Sequence, residues 1–199
     1  MFALFKSAAI LFVLMTAISG FVYPLAVYGI AQAAFPKQAN GSLIERDGHT
    51  IGSALIGQQF DAAKYFQGRP SATTPAPYNA MASGGSNLGP SNPALIDAVE
   101  QRIVALRKAN PDAQDPIPSE LVTASASGLD PDISPQAALW QAPRVARAHG
   151  LPLARVRALI DAHAQAPSLG VFGEPRVNVL QLNLALDDAQ GAAAHNARR

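Results

Sequence analysis

The groups in this chain that could do chemistry are few and scattered. His49, His149, His163 and His195 each stand alone, with no second histidine at metal-ligand spacing and no carboxylate placed beside them. Serine is abundant, yet no Gly-x-Ser-x-Gly elbow occurs, and Ser125 and Ser127 have no recognisable base in the sequence. Ser83-Gly84-Gly85-Ser86 is small and flexible, but a phosphate loop would need Lys-Ser/Thr to follow at the mouth of a helix. Glycines that let two backbones approach closely explain that segment better. Asp130-Pro131-Asp132 supplies two carboxylates, which alone make a poor cation site. With no cysteine there is no thiol nucleophile, thiolate metal site or disulfide framework. The pattern points to a binding or structural role, with no metal and no catalytic residue expected.

What positions these groups starts with a membrane. Between Lys6 and Lys37 the chain carries no charge, and from Ala8 to Ala34 it is almost wholly apolar. At about 1.5 Å rise per residue, roughly 20 helical residues cross a hydrocarbon core about 30 Å thick, so this run is long enough to span. Ala31-Gln32-Ala33 has the form of a signal-peptidase site, but a secretory apolar core is usually about 7 to 15 residues, and a retained anchor fits better. Pro24 is tolerable in lipid, and Thr16, Ser19 and Gly20 form a small polar face suited either to a partner helix or to ordinary membrane-helix composition. Lys6 lies on one side and Lys37 with Arg46 on the other, so charge alone barely codes orientation.

The remainder suits one α+β domain. Asp47-Gly48 between two apolar-rich stretches predicts a tight β-hairpin. The segment 57–92 reads as a long loop, and Tyr65, Phe66, Tyr78 and Leu88 argue that it is docked. Asn92-Pro93 and Ser134-Pro135 are cap-and-start signals for helices, the first ended by Asn110-Pro111, the second kinked or divided by Pro143. A further helix is expected near Pro152 to Ala164. Over Val177 to Leu186, Asn or Gln alternates with apolar residues for part of the length, which predicts a half-buried strand. Ala189 to Arg199 reads as a flexible tail. The 15 Lys/Arg and 14 Asp/Glu give a formal net charge of +1, so nothing argues for a field that gathers nucleic acid. Protein and the lipid bilayer are the expected partners.

A long series of motifs resembles one known family. Gly68-Arg69-Pro70-Ser71-Ala72, Ser83 through Pro93, Leu121-Val122-Thr123-Ala124-Ser125-Ala126-Ser127-Gly128-Leu129-Asp130-Pro131, Gln141-Ala142-Pro143-Arg144-Val145-Ala146 and Val177 through Asp187, behind one amino-terminal anchor, resemble the C subunit of Kdp potassium-transporting ATPases. The resemblance covers nearly the whole chain, in order.

The resemblance implies a bacterial inner-membrane complex whose other members are a potassium-channel-like subunit, a P-type ATPase subunit and a small peptide subunit. This chain would be a non-catalytic accessory, helping assembly and acting as a catalytic chaperone that raises the ATP affinity of the ATPase subunit. The sequence agrees in lacking an Asp-Lys-Thr-Gly-Thr phosphorylation motif. The implied layout is a short cytoplasmic amino terminus over 1–6, a transmembrane helix over 7–34, a periplasmic α+β domain over 35–188 and a tail over 189–199. No tightly bound cofactor is implied, only ATP through the ATPase subunit. In that layout ATP lies across the membrane from the domain. The family's nucleotide link has been likened to a glutamine-bearing signature that Ser83-Gly84-Gly85-Ser86 lacks, which leaves Gln141 as the nucleotide-linked candidate. The alternative is a module over the potassium entrance, lined by polar groups of Ser71, Asn79, Ser86, Asn87, Ser125, Ser127 and Asp130. Arg69 and Asn92 complete the docking candidates, with turn-forming and capping roles as the plain alternative throughout.

Overall fold

The computed structural model describes residues 1–196, with side chains described through residue 191. The chain divides into two units, residues 1–51 and 52 onward.

The first unit opens with an unbroken helical run, Phe2–Ala34, made of α1 (Phe2–Ala17), a π-helical turn (Ile18–Val22) and α2 (Tyr23–Ala34). Its 33 residues span about 50 Å, and none of its apolar window is buried against protein. The wide turn has a local cause. Pro24 lacks an N–H and its ring would strike the carbonyl of Gly20, so the ladder slips by one residue and Tyr23 N–H donates to Ile18 O. Ser19 Oγ donates to Met15 O in the same stretch. A short α3 (Pro36–Ala39) follows, then β1 (Leu43–Arg46) and β2 (His49–Ser53) pair through Asp47 and Gly48, at φ 52° and 78°. Both central residues of a type I′ turn need positive φ, which Asp-Gly supplies.

The second unit is α+β. A small antiparallel sheet has the order β3 (Asp132–Ile133), β5 (Arg176–Asn178), β4 (Ala164–Gln165), with Ile133 opposite Val177 and Ala164 opposite Val177 on the other side. Among the described residues four α-helices accompany it: α4 (Pro93–Ala109), α5 (Pro135–His149), α6 (Leu153–His163) and α7 (Val179–Asn196). Helix α5 packs on α6, and α6 on α7. Between them Ala137, Ala142, Val145, Val156, Ile160, Leu182 and Leu186 are fully buried, with Ile133 and Val177 closing the core from the sheet.

The caps fall where the sequence puts them. Asn92 Oδ1 accepts from Ala94 N at 2.9 Å, and Ser134 Oγ accepts from Ala137 N at 3.1 Å. Helix α5 runs through Pro143 undivided and ends at Gly150, φ +66°, where Gly150 N donates to Arg147 O and Leu151 N to Ala146 O, a Schellman ending.

One expected element is different. The strand predicted over Val177 to Leu186 stops at Asn178, and Val179 opens α7. Asn178 Oδ1 accepts from Gln181 N at 3.1 Å, so this residue both ends the strand and caps the helix. Val179, Leu182 and Leu186 then share one buried helical face. The tail expected over 189–199 is helical as far as Asn196, and residues 197–199 lie outside the described residues.

Candidate functional site

The loop over 54–92 has almost no regular structure, a 3-10 turn at Ala80–Ala82 apart, so its backbone groups must find partners elsewhere. Side chains supply many of them. Phe66, fully buried, donates its N–H to Asn183 Oδ1 at 2.8 Å and accepts from Asn183 Nδ2 at 3.0 Å. The next residue repeats the arrangement: Gln67 N donates to Gln141 Oε1 at 2.9 Å, and Gln67 O accepts from Gln141 Nε2 at 3.0 Å. Two carboxamides, one on α5 and one on α7, thus take the place of neighbouring strands.

Arg144, also on α5, fixes the loop just upstream. Its Nη1 donates to Tyr65 O at 2.9 Å and to Ala63 O, Nη2 to Gln141 Oε1 at 2.8 Å, and Nε to Asn110 Oδ1 at 2.8 Å. These partners are neutral, and burial lowers the Arg144 guanidinium to about 10. A buried cation held by carbonyl-type oxygens orders the end of α4, the loop and α5 together.

The motif loops meet in a second cluster. Ser71 Oγ donates to Gly128 O at 2.7 Å and accepts from Tyr78 N at 2.9 Å. Thr73 Oγ1 donates to Ala76 O at 2.7 Å and accepts from Asn79 N at 3.0 Å. Gly128 sits at φ +67° where a Cβ would lie 2.6 Å from Thr73 Cγ2 and 2.9 Å from Gly84 O, so only glycine fits. Ser125 Oγ accepts from Gly128 N at 2.9 Å, Ser127 O accepts from Gly84 N at 2.8 Å, and Ser127 Oγ accepts from Leu129 N at 3.1 Å. The serine and glycine motifs therefore interlock with each other.

Arg69 and Asp130 form a half-buried ion pair at 3.2 Å. Asp130 Oδ1 also accepts from Asp132 N at 3.1 Å, while Arg69 Nε is buried with no partner among the described residues. Tyr78 OH donates to Arg69 O at 2.6 Å, and burial, with the Asp130 charge beside it, pushes the Tyr78 phenol up to about 12 against the opposing pull of Arg69. Asp132 pairs with Arg176 at 3.2 Å, yet burial holds its carboxyl above the usual range, against its bonds to Asn178 and Arg176.

The structure thus brings together Arg69, Ser71, Asn79, Ser125, Ser127 and Asp130. Asn92 stands apart as a helix cap, and Ser86 and Asn87 are exposed, Asn87 at φ +52°. Gln141 is fully buried, and its amide oxygen and nitrogen are both engaged within the domain. Sequence reasoning missed Asn110, Thr73 and Asn183 as holding residues. Asn183 could have been found by reading Asn178 as a cap, which turns 179–186 into a helix with one polar residue on its buried face.

The family model described as KdpC, the c chain of K+-transporting ATPases, matches residues 5–188. A potassium-transporting ATPase KdpC subunit of Variovorax paradoxus is 63% identical over 187 residues, 94% of this chain and 97% of the relative. Those of Dechloromonas aromatica and Ralstonia nicotianae are 62% and 60% identical, over 92% and 93% of this chain and 96% and 91% of theirs. With the membrane-length helix, the α+β unit behind it and a match running almost from end to end, the chain belongs to the KdpC family, the c chain of the potassium-transporting ATPase.

Proposed function

We propose that this subunit is a non-catalytic accessory of the transporter, helping it assemble and raising the ATP affinity of the ATPase subunit from a distance. The observation that supports a distant effect is the position of Gln141. Its amide is buried and bonded to Gln67 and Arg144, so a nucleotide could reach it only if the loop left the core. An effect on ATP use then travels as a coupling free energy through companion subunits, of about 1 to 3 kcal/mol for typical allosteric pairs, or roughly 5- to 150-fold in affinity. In this reading the domain is periplasmic, the amino terminus cytoplasmic, and the potassium-channel-like, P-type ATPase and small peptide subunits are the partners. No tightly bound cofactor is required.

The deciding experiment has two parts. Gln190, exposed on α7, is replaced by cysteine in a chain that has none of its own, and an impermeant thiol reagent is applied to intact spheroplasts. Labelling from outside is the expected result, and labelling only after lysis overturns it. Potassium-stimulated ATP hydrolysis by the complex is then measured with and without this chain. A higher ATP requirement without it is expected, and an unchanged ATP dependence overturns the chaperone role.

A second reading, a module over the potassium entrance with no nucleotide role, is favoured by one feature only. Ser86 and Asn87 are exposed, whereas Ser71, Thr73 and Ser125 bond within the domain. Potassium affinity altered by Ser86→Ala with Asn87→Ala, at unchanged ATP dependence, would mark this role.

A further inference from the structure

The turn over 167–173 carries three large apolar side chains into solvent: Leu169 is 90% exposed, Val171 78% and Phe172 67%. It is not a slack loop. Ser168 and Phe172 form an antiparallel bridge, with Ser168 N to Phe172 O at 2.8 Å and Phe172 N to Ser168 O at 2.9 Å. Gly170 N donates to Pro167 O at 2.9 Å within it. Leu169 holds φ +55°, in the left-handed region that a branched side chain enters only at a cost of about 1 to 3 kcal/mol. Gly170 and Gly173, at φ +74° and +86°, complete the turn. A strained conformation thus presents apolar groups outward, where none of the described residues covers them. Such a shape, fixed before contact, lowers the ordering cost of binding.

We propose that this knob docks into an apolar socket on the extramembrane face of a companion subunit of the transporter. This rests on the chain's membership of a multi-subunit complex, which supplies the partner. Charge favours protein over lipid as the occupant. The turn from Pro167 to Gly173 has no charged residue, the next residue is Glu174, and the nearby Arg176 is paired with Asp132. Segments that dip into a bilayer surface typically carry Lys or Arg beside Trp, Phe or Leu, and lipid places no demand on a fixed turn geometry. A socket does, because apolar complementarity is lost with small displacements. Buried apolar anchors of this kind carry much of the energy of an interface.

The test uses the full chain expressed with the rest of the transporter. Leu169→Ser combined with Phe172→Ser keeps the backbone bonds of the turn, and a circular-dichroism melt of the purified variant checks its fold. If the wild-type chain fails to co-purify with the ATPase subunits, membership itself fails. If it does co-purify, the variant should recover those subunits about tenfold less well, a typical loss for an interface anchor. Undiminished recovery of a folded variant overturns the proposal. A photoactivatable residue at Val171 gives an independent reading: an adduct at the mass of a companion subunit supports it, and adducts with lipid alone overturn it.

Discussion

Gln141 on α5 and Asn183 on α7 hold consecutive residues of the same loop, Gln67 and Phe66, each carboxamide bonding both the N–H and the C=O of its residue. Successive residues of an extended chain point their backbone groups to opposite sides, so two helices can clamp one strand-like segment from both flanks. The loop is thereby fastened without a sheet.

Removing either clamp leaves backbone groups of buried Phe66 or half-buried Gln67 without their side-chain partners. Gln141→Ala, which also strips Arg144 of an acceptor, should lower the stability of the domain by about 1 to 3 kcal/mol, and Asn183→Ala by a similar amount. Thermal or urea unfolding of each variant measures this. A Gln141→Ala variant as stable as the parent would show that the clamp contributes nothing.

Gly128→Ala should be worse than its size suggests. The added Cβ meets Thr73 Cγ2 and Gly84 O well inside contact distance, at a positive φ. A loss of about 2 kcal/mol or more is expected from strain and clash together. Ala at Gly89, where nothing lies within 4 Å and φ is ordinary, is the control and should change little.

Tyr78 sets an alkaline limit. Burial raises its phenol to about 12 from an unfolded value of 10.0, so the folded state keeps a proton that the unfolded state releases between those values. Its contribution is complete below pH 10 and declines as pH rises toward 12. Tyr78→Phe loses the bond to Arg69 O, costing about 1 kcal/mol near neutrality, and should flatten the fall in stability above pH 10. Unfolding midpoints at several alkaline pH values, for parent and variant, decide this.

His149 should be dispensable or better. It is buried on α5, edge-on to Tyr65, and among the described residues neither ring nitrogen has a hydrogen-bond partner. Buried polar atoms left unpaired are costly, so His149→Phe, which keeps an aromatic ring against Tyr65, should hold or raise the melting temperature. A large drop would mean that the ring nitrogens have partners in solution.

What the sequence discloses about this fold is local. Asp47-Gly48, Asn92-Pro93 and Ser134-Pro135 specify a turn and two helix starts through short-range sterics and capping, and each forms where expected. Val177 to Leu186 was ambiguous for a physical reason: apolar residues at 179, 182 and 186 satisfy a helical face, while Asn and Gln between them imitate alternation. Strands β3 and β4 are two residues each and carry too little pattern to see. The contact between Gln141 and Gln67, and that between Ser71 and Gly128, depend on packing between distant segments. Their residues could be singled out, but not joined.

The two carboxamide clamps bind the fate of an irregular segment to that of the helices. The amides of Phe66 and Gln67 are closed off by residues of α5 and α7, so they cannot exchange with solvent through fraying of the loop alone. Their hydrogen exchange should be as slow as that of the core, released only when the bonds to Asn183 on α7 and Gln141 on α5 break. A stretch that looks like a connector should therefore open together with the helices that hold it.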